Sequence, residues 1–120
     1  MKKRVAIPVI NNVLSEYFGQ CSHYEIYESD GRTAVWTKTA LPHEMTVSQL
    51  PGWLEEQGIT DVIAFRVNPA VIHLFASRKV NLFVGVPVDS PQKLIESYLQ
   101  GKLESDENII KELVQYSTER

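Results

Sequence analysis

The stretch Thr60-Asp61-Val62-Ile63-Ala64-Phe65-Arg66-Val67-Asn68-Pro69 decides the fold class. Val62 to Phe65 carries no polar residue, as a strand covered on both faces requires. Asn68 before Pro69 then reads as a helix start. An Asn side chain can accept from the first unpaired N–H groups, and proline in the first turn has no N–H to leave unsatisfied. Val71, Ile72, Leu74 and Phe75 give that helix an apolar face, and Val80-Asn81-Leu82-Phe83-Val84 reads as the next strand. Strand, helix, strand at this spacing is a crossover unit, which demands parallel strands.

Toward the C-terminus, Asp89-Ser90-Pro91 repeats the cap and proline, opening a helix with Leu94, Ile95, Tyr98 and Leu99 on one side and a stop at Gly101. A last helix is predicted from about Asp106 to Tyr116, with Ile109, Ile110, Leu113 and Val114 facing inward. Toward the N-terminus, a helix over about Ser48 to Gln57 places Leu50, Trp53 and Leu54 on one stripe and tolerates Pro51 in its first turn. Leu41 to Val47 has no period and reads as a loop. His23 to Glu28 and Thr33 to Thr39, joined by Ser29-Asp30-Gly31-Arg32, read as a β-hairpin. Val5 to Ile10, bounded by Asn11-Asn12, is a further buried strand. The order β-β-β-α-β-α-β-α-α predicts one mixed sheet with helices on its faces and with Val5 to Val9 and Val62 to Ala64 in its interior.

Composition narrows the partners. The 120 residues, 43% hydrophobic and 22% charged, fit one globular domain over residues 1–120. With 12 Lys+Arg against 15 Asp+Glu the net charge is −3, which argues against a nucleic-acid partner, since affinity for nucleic acid rests on cations neutralising phosphates. No apolar run approaches the roughly 20 residues needed to span a bilayer. Met1-Lys2-Lys3-Arg4 imitates the basic start of a signal peptide, but Pro8 and Asn11-Asn12 interrupt the apolar run behind it. The single Cys21 cannot form an intrachain disulfide, and a cytoplasmic location is expected.

Ligands of open α/β sheets bind beyond the carboxyl ends of the strands, so the segments after Val9, Trp36, Phe65 and Val84 are the places to search. After the first strand, Cys21 and His23 offer thiolate and imidazole, which suit soft or borderline metals. The same residues also fit a small packed cysteine and a surface histidine. Pro42-His43-Glu44 could ligate a metal or exchange protons, or be solvated loop. His73 lies inside a helix and receives no role. Phe65-Arg66-Val67-Asn68 lacks the glycines with which strand-to-helix turns admit phosphate, and no nucleotide-binding, nucleophile-elbow or C-x-x-C motif occurs.

Taken together, Val5-Ala6-Ile7-Pro8-Val9, Leu14-Ser15-Glu16-Tyr17-Phe18-Gly19-Gln20-Cys21 and Pro42-His43-Glu44 resemble the dinitrogenase iron-molybdenum cofactor biosynthesis family, the NifX-like domains. Leu50 to Gly58, Asp61 to Ala64 and Ser97 to Leu103 agree with that family's later part, so the resemblance covers about residues 4–108. It implies a three-layer α/β/α, ribonuclease H-like fold with a mixed five-stranded sheet. It also implies a non-enzymatic protein that binds or carries an iron-sulfur or iron-molybdenum type cluster or its precursor, with a cluster donor or acceptor protein as partner.

By that resemblance Cys21, His43 and Glu44 are candidate metal ligands, and Phe18, Gly19 and Arg66 candidate cofactor contacts. The nearest subgroup reads His-Phe-Gly-His-Cys. Here Tyr17 and Gln20 replace its histidines, which implies weak binding. Phe65-Arg66-Val67-Asn68 stands where the family has a Gly-Gly-x-Gly turn, and Ile109-Ile110-Lys111 where the subgroup often has Cys-x-His. These departures keep open a second reading, a degenerate member serving as an interaction module or binding a non-metal ligand.

Overall fold

In the computed structural model, which describes residues 2–41 and 45–106, the first apolar run forms β1, Lys3–Ile10. Val5, Ala6 and Ile7 are wholly buried. Asn11 and Asn12 come next, with φ of 52° and 67°. Two consecutive left-handed residues make the turn whose twist suits a two-residue hairpin, and Asn tolerates that region better than other side chains. The chain therefore doubles back as β2, Val13–Leu14, antiparallel to the end of β1. β3, His23–Ser29, and β4, Ala34–Ala40, form the expected hairpin. Its pairing skips Thr37, a bulge at which the Thr37 hydroxyl donates to the Ile26 carbonyl at 3.0 Å.

β5, Asp61–Ile63, and β6, Asn81–Phe83, complete a sheet ordered β4-β3-β1-β5-β6, with β2 attached to β1. β5 and β6 run parallel to β1, while β3 runs antiparallel to both its neighbours. The carboxyl ends of β1, β4, β5 and β6 thus share one edge of the molecule. Helices α1, Leu50–Glu56, and α2, Pro69–Ala76, cover one face over Ala6, Tyr24, Ile26, Leu54, Val62 and Phe75. Helix α3, Pro91–Leu99, covers the other over Val5, Ile7, Val9, Ile63, Leu94 and Ile95. This is the three-layer α/β/α architecture.

The strand count rises from five to six because β2 occupies part of what reads in the sequence as a loop. The first helix begins later than Ser48: Val47–Gln49 is a 3₁₀ turn, and the α-helix proper starts at Leu50. Pro51 is the reason, since it has no N–H to donate to the Val47 carbonyl, which accepts from Leu50 instead. Leu74, expected on the buried face of α2, is 36% exposed. Asn68 caps α2 as its sequence suggests, its side chain accepting from the Ala70 N–H at 2.8 Å. Asp106, expected to open a last helix, has no regular secondary structure, and its N–H donates to the Val84 carbonyl at 2.7 Å. The rest of that predicted helix falls outside the described residues, as do His43 and Glu44.

Candidate functional site

Residues 15–22 cross the carboxyl edge of the sheet between β2 and β3, and hydrogen bonds fasten them at both ends. The Ser15 N–H donates to the Pro8 carbonyl at 2.8 Å, and the Ser22 N–H and hydroxyl both donate to the Val9 carbonyl at 2.9 Å. In between, Phe18 donates to the Arg66 carbonyl at 2.8 Å and Arg66 to the Glu16 carbonyl at 3.0 Å, so this loop runs alongside the turn after β5. Tyr17 to Gln20 form a tight turn closed by the Gln20 N–H on the Tyr17 carbonyl at 3.1 Å. Its third position needs a positive φ, and Gly19 supplies 98°. A Cβ there would lie 2.8 Å from Val47 Cγ2, so the loop is seated against the 3₁₀ turn before α1.

Phe18 anchors the loop. It is buried, with its ring edge-on to Phe75 at 5.5 Å and to Tyr24 at 6.2 Å. Cys21 lies three residues further on, half-buried against the same core cluster. Burial pushes its thiol above the ordinary range, and the neighbouring Tyr24 hydroxyl acts in the opposite direction. Tyr24 is itself 0% exposed, with its ring 5.7 Å from Trp53. Its hydroxyl makes no hydrogen bond to any described residue. A buried polar group left in that condition costs about 1–3 kcal/mol. Desolvation, and then the proximity of Cys21, keep Tyr24 protonated far above the usual tyrosine range.

The alternation of β3 separates the two donors closest in sequence. Tyr24 and Ile26 face α1 and α2, so His23 and Glu25 project to the other side of the sheet. There His23 Nδ1 lies 3.0 Å from Ser22 Oγ and Nε2 lies 3.9 Å from the Glu25 carboxylate. Arg66 stacks over the Phe65 ring, with Cζ 5.2 Å from the centroid, filling the turn with side chains. His73 is exposed on α2.

Four of the sequence-derived candidates thus meet along one edge: Phe18, Gly19 and Cys21 on the loop, and Arg66 hydrogen-bonded to it through the backbone. Among the described residues no three His, Cys, Asp or Glu side chains cluster as a metal site. The sequence reading missed Tyr24 and Val47. An alternating strand tyrosine looks like ordinary core, and nothing in the local sequence marks its hydroxyl as unpaired.

The fold and this edge define a three-layer α/β/α domain with a thiol-bearing loop at the carboxyl ends of its parallel strands. The chain belongs to the dinitrogenase iron-molybdenum cofactor family, whose model matches residues 1–101. Its fold is similar to that of the protein designated PH0822, at 22% identity and a TM-score of 0.77 over 86% of this chain and 94% of that one. A Methanocaldococcus jannaschii protein provisionally described as a dinitrogenase aligns at 18% identity and 0.72, covering 88% and 96%. The apo form of the orange protein from Desulfovibrio gigas aligns at 12% and 0.66, covering 87% and 92%. At these identities the likeness is one of fold. No curated protein sequence matches the chain. Among the described residues no helix is long and apolar enough to cross a membrane.

Proposed function

We propose that this protein binds and carries an iron-sulfur or iron-molybdenum type metallocluster, or a precursor of one, without catalysing a reaction, and exchanges it with a donor or acceptor protein in the cytoplasm. The observation that carries this reading is the half-buried Cys21 thiol on a loop fastened across the carboxyl ends of the strands, in a chain of a cofactor-handling family. Cys21 supplies a thiolate, with His43 and Glu44 as further ligands, while Phe18, Gly19 and Arg66 shape the loop around the cargo. Tyr17 and Gln20 are exposed on that loop where histidines would strengthen the site, so binding is weak and exchange easy. The thiol must lose its proton to ligate, so loading falls in acid.

Oxygen-free reconstitution with iron and sulfide tests the proposal. Aerobically purified protein should be metal-free, reconstituted protein should load substoichiometrically, and Cys21→Ser should abolish the signal. Arg66 stacked on Phe65 in the turn favours the second reading, a degenerate module with a filled crevice. No loading at all, or equal loading by the serine variant, selects that reading.

A further inference from the structure

We propose that the bulge at Thr37, together with Lys38 beside it, keeps β4 from pairing edge to edge with a second copy of this chain. The proposal is independent of the carrier reading. β4 is the outer strand of the sheet, and among the described residues no strand lies beyond it. Its backbone N–H and C=O groups that point away from β3 are a template for another strand. β6, at the opposite edge, has 3 residues, whereas β4 has 7. Val35 is 64% exposed and Trp36 51%. Val35 stands opposite Glu28 and Trp36 opposite Tyr27, so the two side chains project from opposite faces of the sheet, and neither helix layer covers them. A long exposed edge flanked by apolar side chains is a site of self-association unless something blocks it.

Two features at the centre of the strand block it. The register passes from Trp36 opposite Tyr27 to Lys38 opposite Ile26, which leaves Thr37 as the extra residue. An extra residue bends its strand and increases the twist. An incoming straight strand therefore follows Ala34 to Trp36 or Lys38 to Ala40, but not both. The Thr37 hydroxyl pins the bulge by donating to the Ile26 carbonyl at 3.0 Å. Lys38 comes next, its ammonium 3.2 Å from the Gln57 side-chain oxygen. In an antiparallel pair of two copies centred on this strand the two lysines approach each other, and like charges across a strand pair repel. Bulges and edge lysines are the means by which sheets blunt their edges, and β4 carries both side by side.

The register makes the test specific. Because the ladder already skips Thr37, a variant lacking that residue keeps every other β3–β4 pair and straightens the strand. Sedimentation velocity of the full chain is run in reductant, where Cys21 cannot cross-link two copies. The wild type should sediment as a monomer and the Thr37 deletion as a dimer or larger species. Amide hydrogen exchange should locate the contact: the β4 amides that face away from β3 should exchange fast in the wild type and slowly in the deletion variant. Lys38→Val keeps the length and the bulge but removes the charge, and should associate more than the wild type and less than the deletion. It decides the matter alone if the deletion does not fold. Monomers throughout, with the outer amides unprotected, overturn the proposal. So does association that leaves those amides unprotected, since the contact then lies elsewhere. A wild type already paired through protected β4 amides overturns it too, because the bulge would then block nothing. Association of the deletion with a monomeric Lys38→Val upholds the bulge and overturns the part given to Lys38.

Discussion

Glycine is required twice over at position 19, by its φ of 98° and by the 2.8 Å separation its missing Cβ would have from Val47. Gly19→Ala should therefore cost about 1–3 kcal/mol in urea unfolding, the range for a non-glycine residue held in a disfavoured backbone region. A loss under about 0.5 kcal/mol would mean that Val47 simply yields, at the size of an ordinary surface substitution. A second residue-scale prediction concerns Tyr98, whose hydroxyl is pushed up to about 12 by burial and by the facing Asp61 carboxylate. The unfolded chain releases this proton near 10 and the folded one near 12, so the native state holds more protons in between. Stability from this group is full below pH 10 and falls through that window. Tyr98→Phe should flatten the alkaline limb of a stability-against-pH curve, and an unchanged limb would assign it to other groups. At this scale Cys21 is legible in the sequence because a lone thiol advertises its chemistry. The unpaired hydroxyl of Tyr24 is not, since its burial depends on the packing of Phe18 and Trp53 around the ring.

Among the elements, β2 shows what a short signal contains. Asn11-Asn12 reads in the sequence as the end of a strand, yet both residues adopt the left-handed conformation that closes a hairpin. Asn12→Gly should leave stability unchanged or raise it slightly. Asn12→Val should lower it by about 1–2 kcal/mol, since β branching is worst tolerated at positive φ. Equal denaturation midpoints would show that the turn rearranges freely. The stripe of Leu50, Trp53 and Leu54 places helix α1, and Leu54 is indeed 0% exposed. Leu54→Ala should cost about 2–5 kcal/mol on denaturation, the range for a fully buried leucine. The start of α1 is less legible, because Pro51 in the first turn is compatible with either an α or a 3₁₀ entry. The segment between β4 and that entry has no period to read.

In the whole molecule the sheet separates two cores, a consequence of the strands' lack of polar residues. A strand covered on one face alternates; Val5 to Ile7 and Val62 to Ile63 do not, so a helix layer is needed on each side. The crossover rule dictates the parallel strands, and the hairpin dictates one antiparallel strand. Which side of β1 receives the hairpin and which receives β5 depends on the global packing and leaves no mark in the local sequence. The separation of cores has a measurable consequence. Leu54 belongs to the α1/α2 side and Leu94 to the α3 side, both buried and with no core cluster in common. Residues without shared partners have stability effects that add within about 0.3–0.5 kcal/mol. Leu54→Ala combined with Leu94→Ala should thus lose the sum of the two single losses within that margin. A coupling of more than about 1 kcal/mol, of the kind found between residues in contact, would mean that the sheet transmits strain from one helix layer to the other. The loop that bears Cys21 would then feel α3 through β1, to whose Pro8 and Val9 carbonyls it is fastened, and on the proposed carrier reading mutations on the far face would alter loading.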